Sequence, residues 1–373
     1  MKKKLLALVC ALVMIFSLAS CGLSTPDTVG KVGDFEVSSG LYLLAQYSAY
    51  QQAAQLAGTD QDATDVKAFL KETITTDADS GETAVVQDYV ADKTLETLRT
   101  FAAIDARFAE LGGELTAEQT QAADNYAQQL MDQYGSTYTA NGIGLETLKA
   151  FERIQLKHTL LLTLVYGPDG ESPVDDSDLT EHLDSQMYEL AYVNIPLYNT
   201  STFVFASDDQ KAQMLQLAQA AAASCSETQD GSVSEQVSAL HSAASAALPD
   251  IYAVLDSTPA EDAASVQTEL LTESDLAGAF TQDGAAAVRG LVYGEAAAVQ
   301  YNAASIILMM RIDPLQVSTL DALRTQILSD MKGDELEDAL TAYGSTLENN
   351  LSTSAMNKMP ASKIVNPSSS SNS

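Results

Sequence analysis

Two changes of hydrophobic period divide this chain. Val86, Val90, Leu95, Leu98, Phe101, Ala102 and Phe108 recur at helical spacing, as do Leu148, Phe151, Ile154, Leu161 and Leu164 further on. That spacing puts each set on one helix face. At Glu189 the pattern changes to Leu190-Ala191-Tyr192-Val193-Asn194-Ile195-Pro196, which reads as a strand. Later comes the unbroken run Ile306-Ile307-Leu308-Met309-Met310, which reads as a central strand covered on both faces. Helical spacing resumes at Leu320 and continues to about Met356. A chain of this order is expected to be α+β and mainly helical, a helical domain split by a mixed α/β insert.

Capping and breaking residues place the expected elements. Residues 29–37 read as two short strands around Gly33-Asp34. Ser38 or Ser39 caps a helix that Gly58 stops. A second helix is expected over 62–74, then a polar loop over 77–83. Gly112-Gly113 ends the helix that begins at Val86. Thr116-Ala117-Glu118-Gln119 is a capping box that opens a helix to about Tyr134, with a loop over 135–144. A helix over 145–166 ends at Gly167-Pro168-Asp169-Gly170, and another spans 175–188. Inside the insert, Ala-rich helices are expected over 208–224 and 234–248, with a further one over 262–271. Pro360, Pro367 and the serines 368–371 mark a disordered tail.

The first twenty residues have the pattern of an export signal. Lys2, Lys3 and Lys4 precede an apolar run over 5–18, too short for a comfortable permanent span. Leu18-Ala19-Ser20-Cys21 then matches the lipobox of bacterial lipoproteins, in which small residues admit the peptidase and the thiol accepts a diacylglyceryl group. Lipidation is therefore expected at Cys21, with localisation at the cell membrane on its extracytoplasmic face. No later segment is long and apolar enough to cross a membrane.

The charge narrows the partners. The net charge is −32, and cleavage before Cys21 removes three lysines and no acids. Such a chain repels phosphate, so nucleic acid is not an expected partner. It also repels anionic lipid, which leaves the membrane to the lipid anchor. Cys10 leaves with the signal and Cys21 carries lipid, so Cys225 is alone and reads as a small apolar residue of an Ala-rich helix.

Motifs that would carry covalent or metal chemistry are missing. No G-x-S-x-G, H-E-x-x-H, C-x-x-C or P-loop pattern occurs, and neither cofactor nor metal is expected. Asp77-Ala78-Asp79-Ser80-Gly81 has its glycine one position early for a calcium loop and reads as a solvated loop. Asp175, Asp176 and Asp178 complement the dipole of a helix start. His158, His182 and His241 are far apart in sequence and read as structural. Tyr42, Tyr47, Tyr50, Tyr89, Tyr126, Tyr134 and Tyr138 could line a groove for unfolded chain, though packing explains them equally well.

Several segments together resemble the SurA/PrsA group of extracytoplasmic foldases. Val29-Gly30-Lys31-Val32-Gly33-Asp34-Phe35-Glu36-Val37-Ser38 is similar to the group's opening. Leu95, Leu98, Ala106, Gly112, Leu115 and Thr116-Ala117-Glu118-Gln119 resemble the helix pair that follows. Val174-Asp175-Asp176-Ser177-Asp178-Leu179 resembles the approach to the family's inserted parvulin-type prolyl isomerase domain. Leu291, Gly294, Glu295 and Val299 resemble a parvulin segment, and Ser305-Ile306-Ile307 sits where parvulins carry histidine and two isoleucines.

The resemblance implies a signal peptide at 1–20, a lipidated tether at 21–28 and a helical chaperone domain at 29–186. It also implies a divergent parvulin-like domain at 187–313, a returning C-terminal helix at 314–358 and the tail at 359–373. Unfolded or newly exported proteins would be the partners. Active parvulins carry a histidine in the first and last strands; here those positions read Asn194 and Ser305. This implies a foldase-type chaperone whose isomerase is weak or absent. The alternatives are an active prolyl isomerase with an altered site and, ranked lower, a ligand-binding lipoprotein of an uptake system.

Overall fold

Capped helices and a few β-ladders build two compact units. The computed structural model describes residues 26–58, 65–78, 80–225 and 229–366. The expected signal segment, Cys21 and the first part of the tether lie outside them, as does the tail from 367. The fold is α+β and mainly helical. Among the described residues, those up to Val165 form one compact unit with those from Asp334 on, and Tyr166–Gly333 forms the other. The second unit is therefore wider than the insert expected at 187–313.

The first unit opens with β1 (Thr28–Val32) and β2 (Phe35–Ser38), which pair antiparallel. Ser38 caps α1 (Ser39–Leu56), accepting from the Leu41 amide at 3.1 Å. Next come α2 (Val66–Phe69), β3 (Thr73–Asp77) and β4 (Glu82–Val85). The helix expected over 62–74 is thus one short turn followed by a hairpin. Thr73, Ile74, Thr75 and Thr76 are β-branched, and pairing with β4 outweighs the apolar spacing read as helical. The Asp77 loop is the turn of this hairpin: its carboxylate accepts the Ser80 amide and its carbonyl the Gly81 amide.

Helix α3 (Val86–Glu110) follows, then α4 (Ala117–Ala140) and α5 (Leu145–Tyr166). The Thr116 capping box is formed. Helix α4 runs six residues past the expected stop at Tyr134; Gly135 is accommodated inside it, and the loop shrinks to 141–144. Arg153 on α5 grips Asp124 on α4 with two bonds of 2.8 Å. Tyr50, Phe69 and Ile74 share a core with Val86 and Val90, the rings of Tyr50 and Phe69 meeting edge to face at 5.6 Å.

In the second unit α6 (Asp176–Gln186) gives way at Met187 to β5 (Met187–Pro196), the helix ending two residues before the expected Tyr188. Helices α7 (Asp208–Ala223) and α8 (Val233–Ala253) follow. Helix α8 outlasts its expected end at Leu248 because Pro249 is carried inside it. The segment expected as a helix over 262–271 instead ends in β6 (Gln267–Thr272), which pairs along β5. Helices α9 (Glu273–Ala279) and α10 (Gln282–Gly290) precede β7 (Ala296–Asn302) and β8 (Ser305–Arg311). All four strands form one sheet in the order β6-β5-β8-β7, every pairing antiparallel. The central place of β8 explains its unbroken apolar run.

After α11 (Pro314–Val317) comes α12 (Leu320–Thr346), inside which the division at Gly333 falls. The helix expected to Met356 stops ten residues short. Asn349–Leu351 is β9, which joins the first sheet against β1, and α13 (Thr353–Met356) follows. The β1–β9 approach requires Gly30: its φ is +125°, and a Cβ there would lie 2.3 Å from the Asn350 carbonyl oxygen. The tail expected to be disordered from 359 is packed through 366, with Met359 fully buried and a short 3₁₀ turn at Ala361–Lys363.

Candidate functional site

Strand alternation gives the four-stranded sheet two different faces. Ala191, Val193, Ile195 and Leu197 of β5 and its extension join Ile306, Leu308 and Met310 of β8 against α7 and α8. The opposite face carries Tyr188, Leu190, Ile307 and Met309, packed with Leu276, Ala285 and Val288 of α9 and α10. These two helices are short and leave part of that face uncovered.

The uncovered part is a cavity of about 410 Å³. Its floor is Leu190, Tyr192 and Asn194 of β5, with Glu269 and Leu271 of β6 and Ile307 of β8. Phe280 and Tyr301 form one wall, edge to face at 4.7 Å. The Tyr192 hydroxyl donates to Glu269 at 3.3 Å. Burial and the nearby Glu269 charge raise the Tyr192 phenol above its ordinary value, so it stays protonated at neutral pH. The cavity thus offers an apolar slot, one carboxylate, one phenol and the Asn194 amide. Asn194 is exposed, and its side-chain amide, unlike its ladder-paired backbone, makes no hydrogen bond among the described residues.

The two positions expected at a parvulin site part company here. Asn194 pairs with Ile307, and Ser305 with Pro196, so both lie on the cavity face two residues apart. Ser305, however, is only 7% exposed and does not line the cavity. Its hydroxyl donates to Asn302 Oδ1 at 3.1 Å, within the turn that joins β7 to β8. Tyr192, Glu269, Phe280 and Tyr301 were not marked by sequence. Alternation with Asn194 was the available signal for Tyr192, whereas Glu269 was hidden by the misplaced helix over 262–271.

The remaining candidates resolve into structural roles. His158 lies 3.2 Å from Glu337, His182 Nε2 lies 2.6 Å from Asp330, and His241 Nδ1 lies 2.9 Å from the Ala264 carbonyl. Asp176 pairs with Arg324 at 2.8 Å. No cluster able to hold a metal occurs among the described residues. The Cys225 thiol is buried, and burial raises its pKa, which suits packing and disfavours thiolate chemistry. Tyr42, Tyr50 and Tyr89 are buried, while Tyr126 and Tyr134 are exposed on α4, so the tyrosines do not line one groove. No described helix is long and apolar enough to cross a membrane.

The first unit has a polar groove of its own, about 510 Å³, bordered by Gln51, Gln55, Thr97, Thr100, Gln155 and His158. Both amide atoms of Gln51 are buried there without a hydrogen-bond partner among the described residues.

No protein family and no curated protein matches this sequence. Among solved structures, it is similar to the crystal structure of foldase protein PrsA from Streptococcus pneumoniae str. Canada MDR_19A. The two are 12% identical, with 76% of this chain and 97% of that chain covered, at a TM-score of 0.34.

Proposed function

We propose that the chain is an extracytoplasmic foldase-type chaperone for unfolded or newly exported proteins, anchored at the outer face of a membrane by lipid on Cys21. The unit at Tyr166–Gly333 would be a divergent parvulin-like module with weak or no isomerase activity. The observation that carries this reading is the cavity on the sheet: an apolar slot with an amide at Asn194, which Ser305, bonded to Asn302, does not line. The ordered sequence resemblance to the SurA/PrsA group supports the same reading. Clients would be held by reversible burial of apolar segments, without ATP.

The chemistry of the slot sets the expected rate. Rotation about a peptide bond meets a barrier of about 18–20 kcal/mol, and no nucleophile is needed to lower it. A group must favour the twisted amide over the planar one. One neutral hydrogen bond, worth about 0.5–1.5 kcal/mol, gives roughly two- to tenfold if made only in the twisted state. That is a weak isomerase. The unpartnered Asn194 amide beside Tyr192 is the feature that favours the alternative, an active isomerase with an altered site.

The test is the refolding of a client limited by a cis-proline, with and without the chain from residue 22. That phase takes tens to hundreds of seconds unaided. An unchanged rate with a higher yield near equimolar chain is expected of a holding chaperone. Strong acceleration at substoichiometric amounts would instead establish the isomerase reading. Neither effect would sink both.

A further inference from the structure

The C-terminal residues 359–366 are held in the first unit in the manner of a bound peptide. They take part in no β-ladder, unlike β9 just before them. Two side chains grip their backbone instead. Gln46 of α1, itself 6% exposed, donates from Nε2 to the Met359 carbonyl at 3.2 Å. Asn141, at the end of α4, accepts the Val365 amide at 2.9 Å and donates to the Val365 carbonyl at 2.8 Å. That two-point grip on one residue's N–H and C=O is what a neighbouring strand would supply, and it reads no side chain.

Side chains add the selectivity. Met359 is 2% exposed, and Ala361 and Ile364 pack on the core of Tyr50, Phe69 and Val90. Pro360 between them has the polyproline conformation, φ −70° and ψ 148°. The contact is incomplete: a cavity of about 400 Å³ remains between Pro360 and Ala361 on one side and Leu70, Val90 and Leu95 on the other.

We propose that residues 359–366 are an internal ligand of a peptide-binding groove on the helical unit. Their release opens the groove to a client segment with a bulky apolar residue, then proline, then an aliphatic residue four positions further on, the residues between forming a tight turn as Ala361–Lys363 do. This deepens the chaperone reading and rests on it for the identity of the client. The strap regulates by competition: a tethered ligand is present at high effective concentration, so a free peptide binds weakly until the strap lets go.

The test uses the full chain and a fluorescent synthetic peptide with the sequence of residues 356–366. The double variant Met359→Ser, Ile364→Ser removes the strap's two apolar anchors. It is expected to bind the peptide at least tenfold more tightly than the parent chain, and adding Asn141→Ala is expected to abolish the gain. A folded double variant that binds no better than the parent overturns the proposal. If that variant loses its helical circular dichroism, hydrogen exchange on the parent chain decides. The Val365 amide must exchange faster than the amides at the centre of α3, and equal protection overturns the proposal. Client aggregation is followed separately. Peptide binding without client protection keeps the groove and sinks the chaperone reading, and the converse result does the opposite.

Discussion

The two faces of the four-stranded sheet are made by the same strands and have opposite fates. On one, Ala218, Ala221, Ala222 and Ala244 let α7 and α8 approach closely over Val193, Ile195 and Leu308, all of them buried. On the other, two helices of seven and nine residues cover Tyr188, Leu190 and Met309 but stop short of Asn194. Long helices seal; short ones leave room. Along β5 and β8, neighbouring residues therefore alternate between setting stability and being available to a ligand, and substitutions one position apart should separate the two roles.

The largest effect is expected on the sealed face. Leu308 is fully buried, so Leu308→Ala should cost about 2–5 kcal/mol in urea unfolding through lost contacts and a residual cavity. Ala218→Leu, which overfills the α7 approach, should cost about 1–3 kcal/mol. If either variant unfolds like the parent chain, the close packing of this face is wrong.

A second effect tests the covered end of the open face. Arg311 lies between the rings of Tyr188 and Tyr293, 4.9 and 5.1 Å from their centres. It also donates to the carbonyls of Leu291 and Asp184 at 3.0 and 2.8 Å. Arg311→Ala should cost about 2–3 kcal/mol, and Arg311→Lys should recover little of it, because an ammonium cannot stack and fork at once. Full recovery by lysine would reduce the clamp to simple charge. Either variant should leave Asn194, at the far end of β5, in place.

What could be read from sequence follows from the length of each signal. Helices α3 and α5 were legible because their stripes run through several turns and glycine or proline follows their ends. Strand β8 was legible because burial on both faces leaves no polar residue between Ser305 and Arg311. Strands β3, β6 and β9 are short and take their conformation from partners distant in sequence: β9 exists because Gly30 lets Asn350 approach. The cavity needs β6, so part of its floor, the Glu269 carboxylate included, was lost together with that strand. Packing of the chain from Met359 on depends on Gln46 and Asn141, far away in sequence, and composition alone pointed the wrong way.

A smaller effect is expected at the margin of the sealed face. Glu189 is 7% exposed, and burial, reinforced by the charge of Glu269, raises its carboxyl pKa above the ordinary 4.5. Between the ordinary and the raised value the folded state binds more protons than the unfolded one, so stability falls as pH rises through that window. Above it the cost is constant. Glu189→Gln should therefore raise the melting temperature at pH 7 and leave it nearly unchanged at pH 4. A gain of equal size at both values would show that the charge is not the cause.

The smallest pair of effects sharpens the comparison most, because it lies within one face. Ser305 and Asn194 stand at positions two residues apart, but one is tied down and the other free. Ser305→Ala removes a hydrogen bond from a nearly buried hydroxyl and should cost about 0.5–1.5 kcal/mol. It should leave any prolyl isomerisation untouched, since that hydroxyl does not line the cavity. Asn194→Ala removes an exposed amide without a partner and should change stability by less than about 0.5 kcal/mol. If the slot retains any catalysis, the same substitution should remove the few-fold acceleration that one hydrogen bond can supply. A loss of rate with Ser305→Ala but not Asn194→Ala would mean that the ligand approaches across the β7–β8 turn, with the slot between Phe280 and Tyr192 acting as packing alone.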